Sequence, residues 1–374
     1  MSNSPKPRRA AFLEKVFLDR RASASALRGV ELFNLRLVRD LCRCGIQVAL
    51  FAEPSWHETI RREIPDAKLL RLVPASGFGS SLMAGFVAAL RLRGIVRREG
   101  RFDALLLGNV ANRLIPALGL LRPGRDFARA VLVAHRQPSP RFLRAIRRLP
   151  GRIVAVSEPI AADFRGQGLA ADTVNDYGIM DAELFHPATV ATGKGPSRKT
   201  RFCVLGALDN AWKGADTAME AFRLMPDAVR ARCELHLMAY RSPPAFPEES
   251  GIVAYPWRNA TGIPEFLRSM DVMLVPSRDE HVMRETFSQS VVQGMLTGLP
   301  VVYAPIPVLT EKFDLGGGIP AKSPQDFAAA MADLADNPAL RAELGAKGRA
   351  TALDRYVWDT GRFVERHLFP SPRP

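Results

Sequence analysis

The chain has 374 residues, of which 47% are hydrophobic and 24% are charged. This composition excludes a largely disordered protein, because it supplies ample apolar surface for a core, and the length favours two domains. The net charge of +14 is uneven, since residues 1–150 carry 28 basic and 11 acidic side chains and the rest are near neutral. The asymmetry predicts an anionic partner for the N-terminal half, such as a phospholipid surface, an acidic acceptor or nucleic acid; an arginine-rich genomic composition is the alternative.

The four cysteines are too few for a disulfide scaffold, and they lack zinc-ligand spacing. We therefore predict four reduced structural thiols and no metal site, as in a cytosolic protein. The start of the chain lacks the apolar run of a signal peptide. Residues 82–90 form the longest suspicious apolar segment, which is too short to span a bilayer, since a span takes about 20 residues. A cytoplasmic protein that does not cross the membrane is expected.

The chain alternates apolar runs with segments of helical periodicity. In the first half, strands are predicted at residues 15–18, 47–51, 68–73, 104–107, 130–134 and 153–156, and a helix runs from Gly29 to Gly45. The pattern lapses in a Pro/Gly/Ser-rich stretch and then restarts with strands at 202–205, 234–238, 252–254, 272–275 and 301–303. The helices of the second half are predicted at 215–224, 263–269, 289–296, 324–335 and from 338 onward.

This alternation predicts βαβ units and a parallel sheet in each of two α/β domains. We place an N-terminal domain at residues 1–185, a linker at 186–200, a C-terminal domain at 201–355, and a final helix and tail at 356–374. Ligands of such sheets bind beyond the carboxyl ends of the strands, so two facing domains would create one cleft.

Two candidate sites lie in the first half. Gly29 precedes a helix, so that the backbone can approach a ligand and free amides can meet an anion; a plain strand-to-helix turn is the alternative. His135 ends an apolar strand and is followed by Arg136, which suits a hydroxyl or phosphate; a structural histidine is the alternative. Dinucleotide and P-loop fingerprints are absent from the sequence.

Two more candidates lie in the second half. Lys213 stands directly before a predicted helix, where an ammonium suits a diphosphate, although a solvated surface lysine is the alternative. Glu285 follows a strand and can accept hydrogen bonds from sugar hydroxyls. Ser288 is expected to cap the next helix, and Gln293 lies one turn further in, within reach of a ribose. An ordinary capped helix is the alternative.

These motifs stand in the order found in family-four glycosyltransferases of the GT-B fold, which the chain resembles over nearly its whole length. The region from Pro276 through Glu285 to Gln293 and the G-L-P-V-V run at 298–302 resembles the E-x7-E region of that family. The other matching segments are the glycine loop at 28–31, His135, the "avS" segment at 154–157, the interdomain segment at 177–187, the loop at 206–214 and the A-D-V…P-S segment at 271–277.

The resemblance implies two Rossmann-like parallel-sheet domains facing a central cleft. It also implies a retaining transfer of a sugar from a nucleotide-diphosphate donor, without a metal, to a glycan or lipid-linked acceptor in cell-surface polysaccharide synthesis. The residues given catalytic roles by the resemblance are His135, Lys213 and Glu285. Those expected to bind the donor are Gly29, Lys213, Glu285, Thr286, Phe287, Ser288 and Gln293.

Two positions depart from the family pattern. The arginine that the family places shortly before the loop lysine is Ala207 here, and the second glutamate of E-x7-E is Gln293. Either Lys213 and the helix N-terminus suffice for the diphosphate, or Arg278 or Arg284 supplies the second charge. The alternative function is a catalytically weak or inactive GT-B protein that binds a nucleotide sugar or glycan.

The basic first half fits the acceptor side of such an enzyme. Residues 79–98 predict an amphipathic helix that ends in four arginines, and such a helix would rest on an anionic bilayer; a solvated helix face is the alternative. We therefore expect a cytoplasmic protein with a peripheral contact to the inner face of the plasma membrane. Nucleic acid is not an expected partner, because reading motifs and interleaved aromatics are absent from the sequence.

Overall fold

The computed structural model describes residues 7–19, 29–65, 68–76, 81–149, 151–173, 182–188, 198–239, 249–255, 262–279 and 285–370. The chain divides into one unit of Met1–Val174 with Asp359–Pro374 and a second unit of Asn175–Trp358. Within the described residues, each unit contains one sheet, of seven strands in the first and six in the second, and all strand pairs are parallel. The predicted α/β fold class is confirmed.

The first unit has the strand order β3-β2-β1-β4-β5-β6-β7. Its strands are β1 (Arg9–Leu13), β2 (Gln47–Ala52), β3 (Leu70–Pro74), β4 (Phe102–Leu107), β5 (Phe127–Ala134), β6 (Gly151–Ala155) and β7 (Ala171–Thr173). Its helices up to residue 174 are α1 (Gly29–Arg43), α2 (His57–Glu63), α3 (Ser81–Glu99), α4 (Ile115–Leu120), α5 (Pro140–Ile146) and α6 (Glu158–Gly166), with short 3-10 turns at Pro54–Trp56 and Asn112–Leu114.

The first strand lies earlier in the chain than the sequence predicts. The expected strand at residues 15–18 is wrong, because the strand is β1, and Phe12 of β1 pairs with Leu50 and Leu106 in the middle of the sheet. Residues 15–18 form a turn beyond the carboxyl end of β1. Phe17 of this turn is buried and packs edge to face on Trp56, with the ring centroids 5.5 Å apart. Because this turn is buried, its sequence is apolar, and an apolar run of this length resembles the sequence of a strand.

The second unit has the strand order β10-β9-β8-β11-β12-β13. Its strands are β8 (Thr200–Gly206), β9 (Cys233–Ala239), β10 (Ile252–Tyr255), β11 (Val272–Val275), β12 (Val301–Tyr303) and β13 (Gly318–Pro320). Its helices are α7 (Ala215–Leu224), α8 (Asp227–Arg230), α9 (Gly262–Arg268), α10 (Gln289–Leu296), α11 (Pro307–Thr310), α12 (Pro324–Asp336) and α13 (Pro338–Arg355).

The core of the second unit explains where its ligand edge lies. Strands β8, β9 and β11 are almost wholly buried hydrophobic runs, as expected of parallel strands covered on both faces. Strands β8 and β11 are neighbours, with Cys203 opposite Met273. The loops that follow these two strands therefore leave the sheet side by side at its carboxyl edge.

The C-terminal segment returns to the first unit. Helix α14 (Thr360–Phe363) is followed by a π-helical turn at Val364–Leu368. Arg129 on β5 donates a hydrogen bond to the carbonyl oxygen of Leu368 at 3.3 Å, and Phe363 is buried. Hydrophobic periodicity along the chain does not reveal which unit a terminal helix joins, because both units offer apolar surfaces.

Candidate functional site

The loop that carries Lys213 is shaped by a glycine. It follows β8 and ends in a 3-10 turn at Ala211–Lys213, and Gly214 then starts α7 with a φ of 72°. This backbone conformation favours glycine, and a Cβ at Gly214 would overlap the carbonyl oxygen of Pro276, just after β11. The amide of Arg278 donates to the carbonyl oxygen of Trp212 at 2.7 Å. The loops after β8 and β11 are thereby held together.

The structure brings Lys213 and Glu285 together although they are far apart in the sequence. The Lys213 Nζ donates a charge-assisted hydrogen bond to Oε2 of Glu285. The two side chains are only 14% and 9% exposed, so water screens this ion pair weakly. The ammonium also lies 4.4 Å from the ring centroid of Trp212, within the range of a cation–π contact. Both charges thus stand at the carboxyl edge of the second sheet.

The segment after Glu285 has an unusual backbone at Ser288. Thr286 is half-buried, and Phe287 and Ser288 are buried. Ser288 has a φ of 60° and is the one non-glycine residue with a positive φ among the described residues. Ser288 occupies the predicted N-cap position of α10, but in this left-handed conformation its side chain makes no capping hydrogen bond. Strained residues of this kind often occur at binding sites.

Two buried polar atoms near the start of α10 have unused hydrogen-bonding capacity. Neither the Ser288 hydroxyl nor Oε1 of Gln293 finds a partner in the part of the chain that the structure describes. Buried polar atoms are normally satisfied, and unsatisfied ones call for a ligand or water. Together with the position of this edge at the start of α10, they make it suited to a polar molecule.

The structure narrows the choice for a second positive charge in the site. Arg278 donates to the carboxylate of Asp216 and, at 2.8 Å, to the hydroxyl of Thr217 on α7, and it is exposed. Arg284 lies outside the described residues. A cation that the sequence analysis missed is Lys312, in the 3-10 turn Glu311–Phe313, which is fully buried.

Lys312 rests on aromatic rings of the site. Its Nζ lies 4.3 Å from the ring centroid of Phe287 and 4.9 Å from that of Tyr356. Burial lowers the pKa of Lys312 to about 8, an effect partly opposed by the carboxylates of Glu311 and Glu285. A lone lysine in a short helical segment gives no signal in the sequence that it is buried.

His135 occupies the carboxyl end of β5 in the first unit. It is buried and meets Phe33 of α1 edge to face, with the ring centroids 5.3 Å apart. Burial, helped by the positive charge of Lys15, lowers the pKa of His135 to about 3. The ring is therefore neutral at physiological pH and can exchange hydrogen bonds without carrying a charge.

A cavity of about 710 Å³ opens beside this histidine's neighbour Arg136. Its lining residues come from the segments after β1, β4 and β5 and are Lys15, Val16, Asp19, Val110, Ala111, Asn112, Arg136, Gln137, Pro138 and Ser139. Arg136 donates twice to the carbonyl oxygen of Val110, at 3.1 and 3.0 Å, which fixes its guanidinium at the wall. The cavity thus combines the cations of Lys15 and Arg136 with the carboxylate of Asp19 and with polar side chains at the carboxyl edge of the first sheet.

The predicted site residues fall into both units. Gly29, which is the first residue of α1, and His135 belong to the first unit, and the other predicted residues belong to the second. In the described parts of both units, no three His, Cys, Asp or Glu side chains are grouped as metal ligands. All four cysteines are free, with Cys44 exposed and the others buried. No described helix is long and apolar enough to span a membrane.

Comparisons with known proteins agree with this architecture. Residues 199–337 match the family model described as "Glycosyl transferases group 1". No curated protein sequence matches the chain. The chain is structurally similar to sucrose-phosphate synthase from Thermosynechococcus elongatus, with 15% identity, coverage of 94% of this chain and 96% of that chain, and a TM-score of 0.70.

The chain is also similar to two further structures, one solved with a sugar nucleotide and one of a glycosyltransferase. HepE from Anabaena, solved in complex with UDP-glucose, has 16% identity, coverage of 96% of this chain and 97% of that chain, and a TM-score of 0.67. WaaG, a glycosyltransferase involved in lipopolysaccharide biosynthesis, has 14% identity, coverage of 96% and 98%, and a TM-score of 0.63. The chain therefore has the GT-B fold of two Rossmann-like domains, and its residues 199–337 match the group 1 glycosyltransferase model.

Proposed function

We propose that this protein is a retaining glycosyltransferase that takes its sugar from a nucleoside-diphosphate sugar bound by the second unit. The observation that carries the proposal is the ion pair of Lys213 with Glu285 at the carboxyl edge of β8 and β11. The pair supports the proposal because an ammonium suits a diphosphate, a carboxylate suits sugar hydroxyls, and both stand in the domain that matches the group 1 model. A UDP-sugar is the first donor to test, since the similar HepE structure contains UDP-glucose.

In this proposal, each partner of the ion pair has its own task during donor binding. Lys213 would turn toward the diphosphate, and Glu285 would accept hydrogen bonds from the sugar and orient it rather than attack it. The Ser288 hydroxyl and Gln293 would supply the unused hydrogen bonds to the nucleotide. Thr286 and Phe287 would form the wall between these groups.

The difficult step is departure of the nucleoside diphosphate from the anomeric carbon. The ammonium of Lys213 and the amides of α10 would stabilise the charge that develops on the leaving phosphate. Each well-placed group of this kind is worth about 3–4 kcal/mol. The leaving phosphate would take the acceptor's proton on the same face of the sugar, which retains the configuration. The neutral ring of His135 would hold a hydroxyl, and no metal is needed, which a chelator added to the transfer assay tests.

The first unit supplies the acceptor side in this proposal. Its cavity presents Lys15 and Arg136, which outnumber the single carboxylate of Asp19, beside polar groups that suit the hydroxyls of a glycan or lipid-linked acceptor. WaaG acts in lipopolysaccharide biosynthesis, and an acceptor from cell-surface polysaccharide synthesis fits the same class of chemistry.

Helix α3 would hold the protein at the membrane. Met83, Phe86 and Leu90 are exposed and lie three and four residues apart, so they form one apolar stripe on this helix. The exposed Arg97 and Arg98 follow in its last turn. An apolar stripe next to cations is suited to the interface of an anionic bilayer, and we place the protein at the inner face of the plasma membrane.

The direct test is a binding and turnover screen with UDP-, GDP- and ADP-sugars. Binding at about 100 times the dissociation constant stabilises a fold by about 2.7 kcal/mol, which thermal shift detects. Transfer or donor hydrolysis with one of these donors is the expected result. Binding without turnover would instead favour the second candidate function, an inactive nucleotide-sugar or glycan binder. Ala207 and Gln293 support this function, because each replaces a charged residue of the family pattern. Absence of binding and turnover with all donors would refute both.

A further inference from the structure

Lys312 is buried in a way that needs an explanation. Its side chain is fully buried, and no described residue accepts a hydrogen bond from its Nζ. Lysines are almost never fully buried without a partner, since removal of the ammonium from water costs free energy that hydrogen bonds do not repay here. The proposed mechanism assigns this residue no task.

The surroundings of Lys312 connect it to the donor loop. Phe287, whose ring faces the ammonium, stands two residues after Glu285. Tyr356, which follows α13, packs edge to face on Phe287 with the centroids 5.9 Å apart. The ammonium therefore rests on two rings that also support each other. Through Phe287 it supports the segment that leads from Glu285 to the strained Ser288.

Glu285 stands in the field of two ammonium groups. It bonds directly to Lys213, and its carboxylate also acts through space on Lys312, together with Glu311. Lys213 is partly exposed, whereas Nζ of Lys312 is shielded from solvent. A ligand can therefore reach Lys213 but not Lys312.

We propose that Lys312 is a positioning residue of the donor site, whose ammonium balances the Glu285 carboxylate from the protein interior and so lets Lys213 face an anionic ligand. This inference rests on the proposed function and deepens it. An anion that approaches Lys213 must compete with Glu285, because the two already form an ion pair. A second cation that acts on the Glu285 carboxylate weakens that competition.

The inference also accounts for the missing arginine. Ala207 leaves the site with one cation fewer than the family pattern, and Arg278 is engaged by Asp216 and Thr217. Lys312 restores the charge count without touching the ligand. It does so through electrostatics and through the ring of Phe287.

The charge on Lys312 changes in an accessible pH range. Burial lowers its pKa to about 8, while Glu311 and Glu285 pull in the opposite direction. The third group that faces it, the phenol of Tyr356, has a raised pKa because it is buried, and it stays neutral. Between pH 7 and pH 9, Lys312 therefore passes from mostly charged to mostly neutral.

The test is calorimetric binding of UDP, with GDP and ADP in parallel, to the full-length protein between pH 7 and pH 9. For wild type we expect the affinity to fall by about fivefold or more across this range, the scale of a typical coupling between sites. Lys312→Met should bind with the lower affinity already at pH 7 and should lose that pH step. Titration of the nucleotide affects both proteins equally, so the difference between them isolates Lys312.

The matched control is Lys347→Met, which removes an exposed lysine that pairs with Glu343 at 2.7 Å. It should bind as wild type does at every pH. The proposal is overturned if Lys312→Met keeps the wild-type affinity and pH profile, or if it shows lowered affinity together with lowered thermal stability, which a merely structural lysine would produce. Wild type that binds none of the three nucleotides would instead overturn the proposed function and this inference together.

Discussion

The candidate site residues of the two units differ in charge. In the second unit, the candidate site joins a cation and an anion, Lys213 and Glu285, and a buried Lys312 rests on the ring of Phe287. In the first unit, the candidate residue is a neutral histidine, His135, next to a cavity lined by Lys15 and Arg136. A leaving diphosphate needs opposing charge, whereas an acceptor hydroxyl needs hydrogen bonds. The difference agrees with the proposed division into a donor side and an acceptor side.

The largest effect of mutation is expected at the Lys213–Glu285 ion pair. Glu285→Ala and Lys213→Ala should each lower turnover by about 10²–10³, because each removes a group that acts on the donor. The measurement is the initial rate of sugar transfer or donor hydrolysis under saturating donor. Arg278→Ala is the matched control, since its guanidinium is already held by Asp216 and Thr217, and it should change the rate little. Near-normal rates for both ion-pair variants would refute the assignment of the site.

Loss of stability could imitate loss of turnover in these variants, so folding needs its own measurement. Removal of Lys213 leaves a carboxylate that is only 9% exposed without its partner, and breaking such a pair costs about 3–5 kcal/mol in buried cases. The double variant Lys213→Met/Glu285→Gln should recover most of that stability without recovering turnover. Recovery of both would mean that the pair serves the fold alone.

The charge of Lys312 should affect the free energy of unfolding of the protein. Its pKa of about 8 in the folded protein lies below the usual value of 10.5, so folding disfavours its charged form. The cost is fully present below pH 8 and disappears as the pH rises toward 10.5. Lys312→Met should therefore be more stable than wild type at pH 7, by up to about 3 kcal/mol, and the gain should shrink above pH 8. Urea unfolding at pH 7 and pH 9.5 measures both. A loss of stability at pH 7 would contradict this account.

His135 tests the other side of the comparison. Its folded pKa of about 3 lies below the usual 6.5, so the neutral form is favoured and its stabilising contribution is lost as the pH falls below 6.5. At pH 5 this loss amounts to about 2 kcal/mol. His135→Gln should remove this dependence, so that its stability falls less than that of wild type between pH 7 and pH 5. His186→Gln, in the second unit, is the control and should keep the wild-type slope. Equal slopes for His135→Gln and wild type would show that the ring is not held neutral.

Some secondary-structure elements could be predicted from the sequence, and others could not. Strands β11 and β12 and helices α7 and α10 have the predicted bounds, because each is an apolar run or stripe closed by glycine, proline or polar residues. The strands β7 and β13 escaped prediction, since each is partly exposed and, unlike the equally short β12, is not a continuous apolar run. Such short strands exist because a neighbouring strand offers pairing, which is tertiary information.

The candidate site divides in the same manner. Lys213 and Glu285 could be found from residue type and spacing, because charged residues after apolar strands fall at the ligand edge of a parallel sheet. The left-handed backbone of Ser288 and the burial of Lys312 could not. Both features depend on contacts with segments that are distant in the sequence. The residues next to Ser288 and Lys312 in the sequence therefore do not predict them.

The smallest effect is expected on α3, the helix that we propose contacts the membrane surface. On α3, Arg97→Gln should weaken binding to anionic vesicles by about fivefold, since one cation near such a surface contributes about 1 kcal/mol. Cosedimentation with acidic and neutral vesicles at low and high salt measures it, and Leu90→Ser should weaken binding with less salt dependence, because it removes apolar contact. Arg152→Gln is the control, since Arg152 on β6 is engaged by Asp172 at 3.0 Å. Equal losses for Arg97→Gln and Arg152→Gln would mean that the overall charge of the first unit, and not α3, drives binding.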